Sequence, residues 1–414
     1  MELWSDVALV PILHYSNTPL LLGLTWQHLP RVYPLLGLCG GYALVMLFTP
    51  VRASLRDGFR CIARFPRICI TFVVFGFAYL VFHFATFTPI QSSNDLDLTQ
   101  VTSLPTWTWP RLAEVWRQIP LPILENVAGI FDNATTTYPL SVFAAILIIG
   151  NWRGLHRALF GALHKRFRLG GFLIYLVLLL SAFAAIVKPI VYWALPVWGG
   201  FEPSGRFIAI SSAIDATAFI FEYLFGVYIQ VYLITVCFAW IRGLSFEQGQ
   251  LFRFAIRRFA FVLKWAGLVV VLWMLMVKIP LAYVTTISDV PERFDLQRLA
   301  MCVFIILFAS VQVSLVLHNE GLGDGFRAHG RFMRRNWHQF GWFLLVAALH
   351  FFFIMACDAI VRGAVGERIL PLVVWNCFFI TARGFITGWL LASWVCLFRR
   401  QETAALGQEH WIQY

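Results

Sequence analysis

Three charged residues interrupt strongly apolar stretches of the sequence: Asp215, Glu222 and Arg383. A charge held at the centre of a bilayer costs about 2.5–3.5 kcal/mol on insertion scales, so each of them requires a buried partner or a water-filled cavity. Asp215 and Glu222 stand seven residues apart, two turns of helix, and therefore share a face. The nominal depths predict that Arg383 pairs with Glu222 first and with Asp215 second. One carboxylate is then left for a cation, a proton or a polar substrate. The competing reading is an ion pair that only fixes helix register. His350 and His83 also fall within apolar stretches. Each reads as a hydrogen-bonded packing residue rather than a haem or metal ligand, and no cofactor is implied.

The elements that must position these groups are transmembrane helices. Of 414 residues, 60% are hydrophobic, 17% aromatic and only 13% charged, with a mean hydropathy of +0.74. That balance excludes a predominantly soluble enzyme and a disordered chain. A helix crossing about 30 Å of hydrocarbon needs roughly 20 residues. Nine stretches are candidates, at 34–49, 67–88, 137–152, 169–188, 207–240, 262–285, 298–319, 338–360 and 371–398. The expected fold class is all-α, a polytopic membrane bundle over 34–398. Residues 1–33, interrupted by Pro11, Asn17, Pro19 and Pro30, read as an interfacial arm without the basic region of a cleaved signal. Residues 399–414 read as a cytoplasmic tail.

The net charge of +11 points to lipid, and not to nucleic acid, because of where the bases lie. Segments 50–67, 151–168, 241–264, 320–338 and 399–414 together hold 21 Lys and Arg against six acids. The connections on the other side hold ten against thirteen. By the positive-inside rule the amino terminus lies outside and the carboxyl terminus in the cytoplasm.

Internal repetition is the most informative pattern. Residues 57–65 and 324–332 both read DGFRxxxRF, with looser copies at Phe252–Phe259 and Phe160–Phe167. Each copy precedes one apolar stretch and follows another. The chain therefore reads as four span–elbow–span hairpins and a final ninth helix, with elbows near 50–66, 151–168, 245–261 and 321–337. In the first elbow Leu55, Phe59 and Ile62 form an apolar stripe at helical spacing, while Arg52, Arg56, Arg60 and Arg64 recur every fourth residue. Such a helix lies in the interface plane. Arg253 and Arg257 in the third elbow, and Arg327 and Arg331 in the fourth, occupy matching places. All eight arginines are expected to contact anionic headgroups, each contributing about 1 kcal/mol.

This series of basic amphipathic elbows, each leading into an apolar span, resembles the multi-pass membrane domain attached to some bacterial glycerophosphodiester phosphodiesterases, and related bacterial membrane proteins of unknown function. The resemblance covers most of residues 34–360 and implies a bacterial inner-membrane location. It carries over no activity, because those phosphodiesterases use a separate soluble barrel and this chain has no room for one.

Remaining features are less specific. The connection 89–136 reads as an extracytoplasmic loop or lid, its second half, 111–131, lying over the outer face. The eight cysteines lack ligand spacing and read as small apolar fillers. Glu320–Gly325 is a flexible link, Gly37-x-x-x-Gly41 a packing motif, and no HExxH, GxSxG or GxGxxG signature is present. Lys188, Lys278 and Asp358 fall near span ends, where they can reach water. The sequence thus leads to a non-enzymatic membrane organiser that engages anionic lipids and other membrane proteins, or alternatively to a transporter with Asp215, Glu222, Arg383 and His350 at its polar site.

Overall fold

In a computed structural model, residues 40–85, 120–132, 138–154, 168–197, 205–244, 248–273, 275, 293–318, 321–365 and 369–406 are described. The arm 1–33, the first part of the loop 89–136, most of the second elbow and the end of the tail lie outside them. Every regular element among the described residues is a helix. In chain order these are α1 (Arg52–Arg64), α2 (Arg67–Ala85), α3 (Pro120–Phe131), α4 (Tyr138–Gly150), α5 (Arg168–Val197), α6 (Gly205–Ile241), α7 (Gln248–Trp273), α8 (Arg293–Leu307), α9 (Ala309–His318), α10 (Leu322–Val365) and α11 (Ile369–Leu406).

Four of the described helical stretches are long and apolar enough to cross a membrane: Ala213–Ile241, Leu299–Leu317, Leu322–Asp358 and Val373–Gln401, with α1 and α2 making a fifth if counted as one bent span. The chain is therefore an integral membrane protein with several membrane-spanning helices. The expected nine crossings are not all present as full-length apolar helices among the described residues, where Pro139–Gly150 and Tyr175–Val191 are shorter apolar helices.

The elbows differ from one another. The axes of α1 and α2 meet at 79° across a break at Phe65 and Pro66, so α1 turns sharply off the direction of α2. In the fourth elbow the helix is continuous, with a kink where Asn336 leaves helical geometry (φ −127°, ψ 18°), one residue before the expected elbow end. In the third, α7 runs from the elbow into the following apolar stretch as one helix. Most of the second is among the residues not described.

Close packing of α1 and α2 on α11 organises one side of the bundle. Gly384 and Gly388 of α11 face Val73 and Cys69 of α2, and a Cβ on Gly384 would lie 2.8 Å from the Val73 backbone nitrogen. At Gly388 it would lie 3.0 Å from the Cys69 Cα. Gly58 meets the Ser393 backbone in the same way, at 2.6 Å. These are small-residue contacts of the kind that let membrane helices approach backbone to backbone. The Trp389 indole Nε1 donates to the Leu55 carbonyl (2.9 Å), and the Arg400 guanidinium pairs with Asp57. Cys61, Cys69, Cys237, Cys302 and Cys396 are buried and form no disulfide.

The helix α3 departs most from the sequence reading. Instead of covering the outer face it is inserted in the bundle: Val127, Ala128, Ile130 and Phe131 are buried, and Phe131 packs edge-on against Trp394 (5.2 Å). Twelve residues span about 18 Å, too little for α3 alone to cross the hydrocarbon. The Gln230 amide donates to the Ile130 carbonyl at 2.8 Å and satisfies one of the carbonyls that a helix end leaves open.

If the glycine contacts hold α2 to α11, Gly384→Ala will lower the apparent melting temperature of the purified protein, by the equivalent of about 1–3 kcal/mol for overpacking. Gly341→Ala, where an added Cβ meets nothing within 4 Å, will not.

Candidate functional site

The acids on α6 are brought together with a lysine on α5. Lys188 Nζ lies 3.3 Å from Glu222 Oε1 and 3.5 Å from Asp215 Oδ1. A small-residue contact lets the two helices approach, with Ala182, Ala184 and Ala185 of α5 and Ala218 and Phe221 of α6 buried alongside Ala145 of α4. Asp215 and Glu222 do share a face, as their spacing requires. The arginine partner expected for them is replaced by Lys188. Its signal in the sequence was its position well inside an apolar stretch that continues as helix to Val197. The side chains of Glu222, Lys188 and Asp215 are 9%, 19% and 36% exposed, so the cluster grades from a buried acid to an open one. One ammonium between two carboxylates carries a formal charge of −1, an arrangement that can share its cation between two acids or take up a proton.

Arg383 belongs to a second group. Glu125 of α3, Asp358 of α10 and Tyr79 of α2 lie within its electrostatic reach. Asp358, expected to reach water, is buried and accepts a hydrogen bond from Trp375 Nε1 at 2.8 Å. This group again sets two carboxylates around one base.

His350 is placed elsewhere. Its Nδ1 faces the Val346 carbonyl at 2.7 Å, and its Nε2 faces the Tyr42 hydroxyl at 2.9 Å. A carbonyl only accepts, so Nδ1 carries the proton and Nε2 accepts from the hydroxyl. Both ring nitrogens are thereby occupied in packing α10 against the helical residues 40–48. Among the described residues no group of three His, Cys, Asp or Glu is placed to hold a metal ion.

The elbow arginines form a separate surface. Arg52, Arg56, Arg60 and Arg64 are all exposed, while Leu55, Gly58, Cys61 and Ile62 on the other side of α1 are buried. Phe59, expected within the buried stripe, is 53% exposed and stands beside these arginines. Arg253, Arg257, Arg327 and Arg331 are exposed as well. Arg258 turns inward over the Phe254 ring (4.8 Å), and burial pushes its guanidinium down to about 10, which still leaves it charged at neutral pH.

No protein-family description matches this sequence, and neither a curated protein nor a solved structure is significantly similar to it. The roles discussed below are carried by this chain's own residues.

Removing one member of a buried charge group costs more than removing the pair. Lys188→Met should destabilise the folded protein by about 3 kcal/mol, because Glu222 loses its counter-charge in an apolar setting. The double variant Lys188→Met/Glu222→Met should recover most of that loss, since it removes the buried carboxylate together with its counter-charge. Chemical-denaturation midpoints in one detergent, compared across wild type, single and double variants, check the order.

Proposed function

We propose that this integral membrane protein organises its membrane through the basic elbow helices, which bind the anionic cytoplasmic leaflet and present the bundle to partner membrane proteins. One observation carries this reading: α1 lies at 79° to α2, buries one side on α11 and turns four arginines outward. With α2 crossing the bilayer, α1 lies near the plane of the interface, where each arginine gains about 1 kcal/mol from anionic lipid. The exposed Phe59 supplies an apolar anchor beside the charges. The reading includes an outer amino terminus and a cytoplasmic carboxyl terminus, supported by the charge distribution, and the inner membrane of a bacterium, supported by the resemblance. It also takes the elbows as repeats of one unit, in keeping with the resemblance to the multi-pass domain of bacterial phosphodiesterases.

A second reading, transport of a small or lipid-like polar substrate, is favoured by the Lys188, Asp215 and Glu222 cluster. Its gradation from a buried to an open carboxylate offers a route by which a cation or proton enters between α5 and α6. Arg383, with Glu125 and Asp358, would form the companion polar station, and His350 a packing support.

The quadruple variant Arg52, Arg56, Arg60 and Arg64→Gln, purified as the full chain in nanodiscs of mixed phosphatidylglycerol and phosphatidylcholine, tests the first reading. Native mass spectrometry should show several-fold less retained phosphatidylglycerol with the fold intact by circular dichroism. Undiminished retention sinks the leaflet reading. Cysteine labelling at positions flanking Glu222 from both aqueous sides tests the second.

A further inference from the structure

The phenylalanine of the repeated Asp-Gly-Phe-Arg motif is used differently in its two copies. In the fourth elbow Phe326 turns into the bundle, edge-on to Trp265 (5.3 Å) and Phe308 (6.2 Å). In the first, Phe59 is 53% exposed, and its ring meets Phe385 of α11 edge-on, with 6.5 Å between centroids. An open ring is not what seats α1, because Leu55, Cys61 and Ile62 already bury the other side of that helix. Phe385 is itself 43% exposed. The two rings therefore form a step from the basic surface of α1 to the outer surface of α11.

That step continues in both directions. On α11, Phe378, Thr381 and Phe385 follow one another at three and four residues, so they share a face, and all three are exposed. The Thr381 hydroxyl donates to the Cys377 carbonyl at 2.8 Å, so the one polar group of this strip is satisfied within its own helix. Phe378 to Phe385 measures about 10 Å along the axis, shorter than the roughly 15 Å that one leaflet contributes to a 30 Å core. On α1, Arg52, Arg56 and Phe59 fall on one face by the same spacing, and Arg60 is the next residue after Phe59. The acid of that helix, Asp57, is engaged by Arg400 instead of by these arginines. A cationic head thus stands at the end of an apolar track. Its complement is an amphiphile with a negative headgroup and a hydrocarbon tail.

We propose that the first elbow and α11 together bind one anionic phospholipid molecule at a defined site, its phosphate between Arg56 and Arg60 and one acyl chain over Phe59, Phe385 and Phe378. Arginines four apart on a helix are surface neighbours, and their planar guanidinium groups suit shared phosphate oxygens. The rings supply the contact with the chain. This inference rests on the leaflet reading and deepens it. There the arginines meet a charged surface collectively; here a single lipid is held by head and chain at once. Of the two exact copies of the motif the first alone carries the site, because the second spends its phenylalanine on Trp265 and Phe308.

The test is native mass spectrometry of the full chain from nanodiscs of phosphatidylglycerol and phosphatidylcholine, reading the last phosphatidylglycerol retained as collisional activation rises. Phe59→Ala/Phe385→Ala keeps all four elbow arginines and should lower retention of that lipid several-fold, leaving the weakly held phosphatidylglycerol in place. Arg56→Gln/Arg60→Gln should lower it as well. A second measurement needs no variant: phosphatidylglycerol with a photoreactive group on its acyl chain should label the wild-type chain at 378–385, and unlabelled phosphatidylglycerol, but not phosphatidylcholine, should suppress the labelling. Unchanged retention in the phenylalanine variant would overturn the single-lipid site, as would labelling spread evenly to other exposed apolar residues such as Phe143 and Phe183. Either result leaves the leaflet reading standing if the quadruple arginine variant still loses phosphatidylglycerol. A phenylalanine variant that passes from dimer to monomer with lipid retention unchanged would assign the surface to a second copy of this chain and overturn the proposal too.

Discussion

Hydrocarbon offers no hydrogen bonds, and this single constraint decides most of what the chain does inside the membrane. Helices satisfy their own backbones, but a helix that stops within the bundle must find partners for its end. Gln230 meets the end of α3 at the Ile130 carbonyl. Similar economy governs the side chains: Trp389 donates to the Leu55 carbonyl, Trp375 to Asp358, and both nitrogens of His350 are engaged. Charges obey the same rule with higher stakes, because an unpaired ion in hydrocarbon costs more than an unpaired amide. The lysine between Asp215 and Glu222 is the direct expression of it.

Packing supplies the second level of order. Lipid tails are as apolar as leucine, so apolar character alone does not draw two helices together in a bilayer; close backbone approach does. This explains why glycine recurs where α11 meets its neighbours. It also gives the Asp-Gly pair of the repeated motif a physical meaning. Gly58 lies against the backbone of Ser393, and a Cβ on Gly325 would meet the Leu315 side chain at 2.7 Å, so each copy puts its glycine at a tight helix contact. The aspartates differ in use: Asp57 reaches across to Arg400, whereas Asp324 pairs with Arg327 one turn along its own helix, both well exposed. Such an exposed pair contributes little to stability. The glycine is the element with the larger structural consequence.

What the sequence made legible follows the same division. The arginine side of the first elbow was readable because a four-residue recurrence of one charge has a single helical interpretation, and Arg52, Arg56, Arg60 and Arg64 are indeed exposed together. The shared face of Asp215 and Glu222 was readable for the same reason. Lys188 was not recognised as their partner, since partnership across helices depends on which pairs pack, and local spacing is silent about that. The alanines at 182, 184 and 185 were the available clue, small residues marking a close helix contact. The burial of α3 was not legible because its apolar run is too short to register as a span, and its prolines suggested a surface loop. Pro120 and Pro122 instead occupy its first turn, where a missing N–H costs nothing. Gly384-x-x-x-Gly388 lay in plain view within a span chosen for its hydropathy, which is blind to shape.

The helix α11 links these levels. Near one end it holds the elbow through Ser393 and Arg400, and along its length it is locked to α2 through Gly384 and Gly388. One residue before that lock stands Arg383, within electrostatic reach of Glu125 on α3. A glycine contact has no side-chain slack, so the close approach of α1, α2 and α11 leaves no room for a larger residue at these positions. Glu125 sits on α3, which packs against α8, α10 and α11 with no exposed side chain among its described residues.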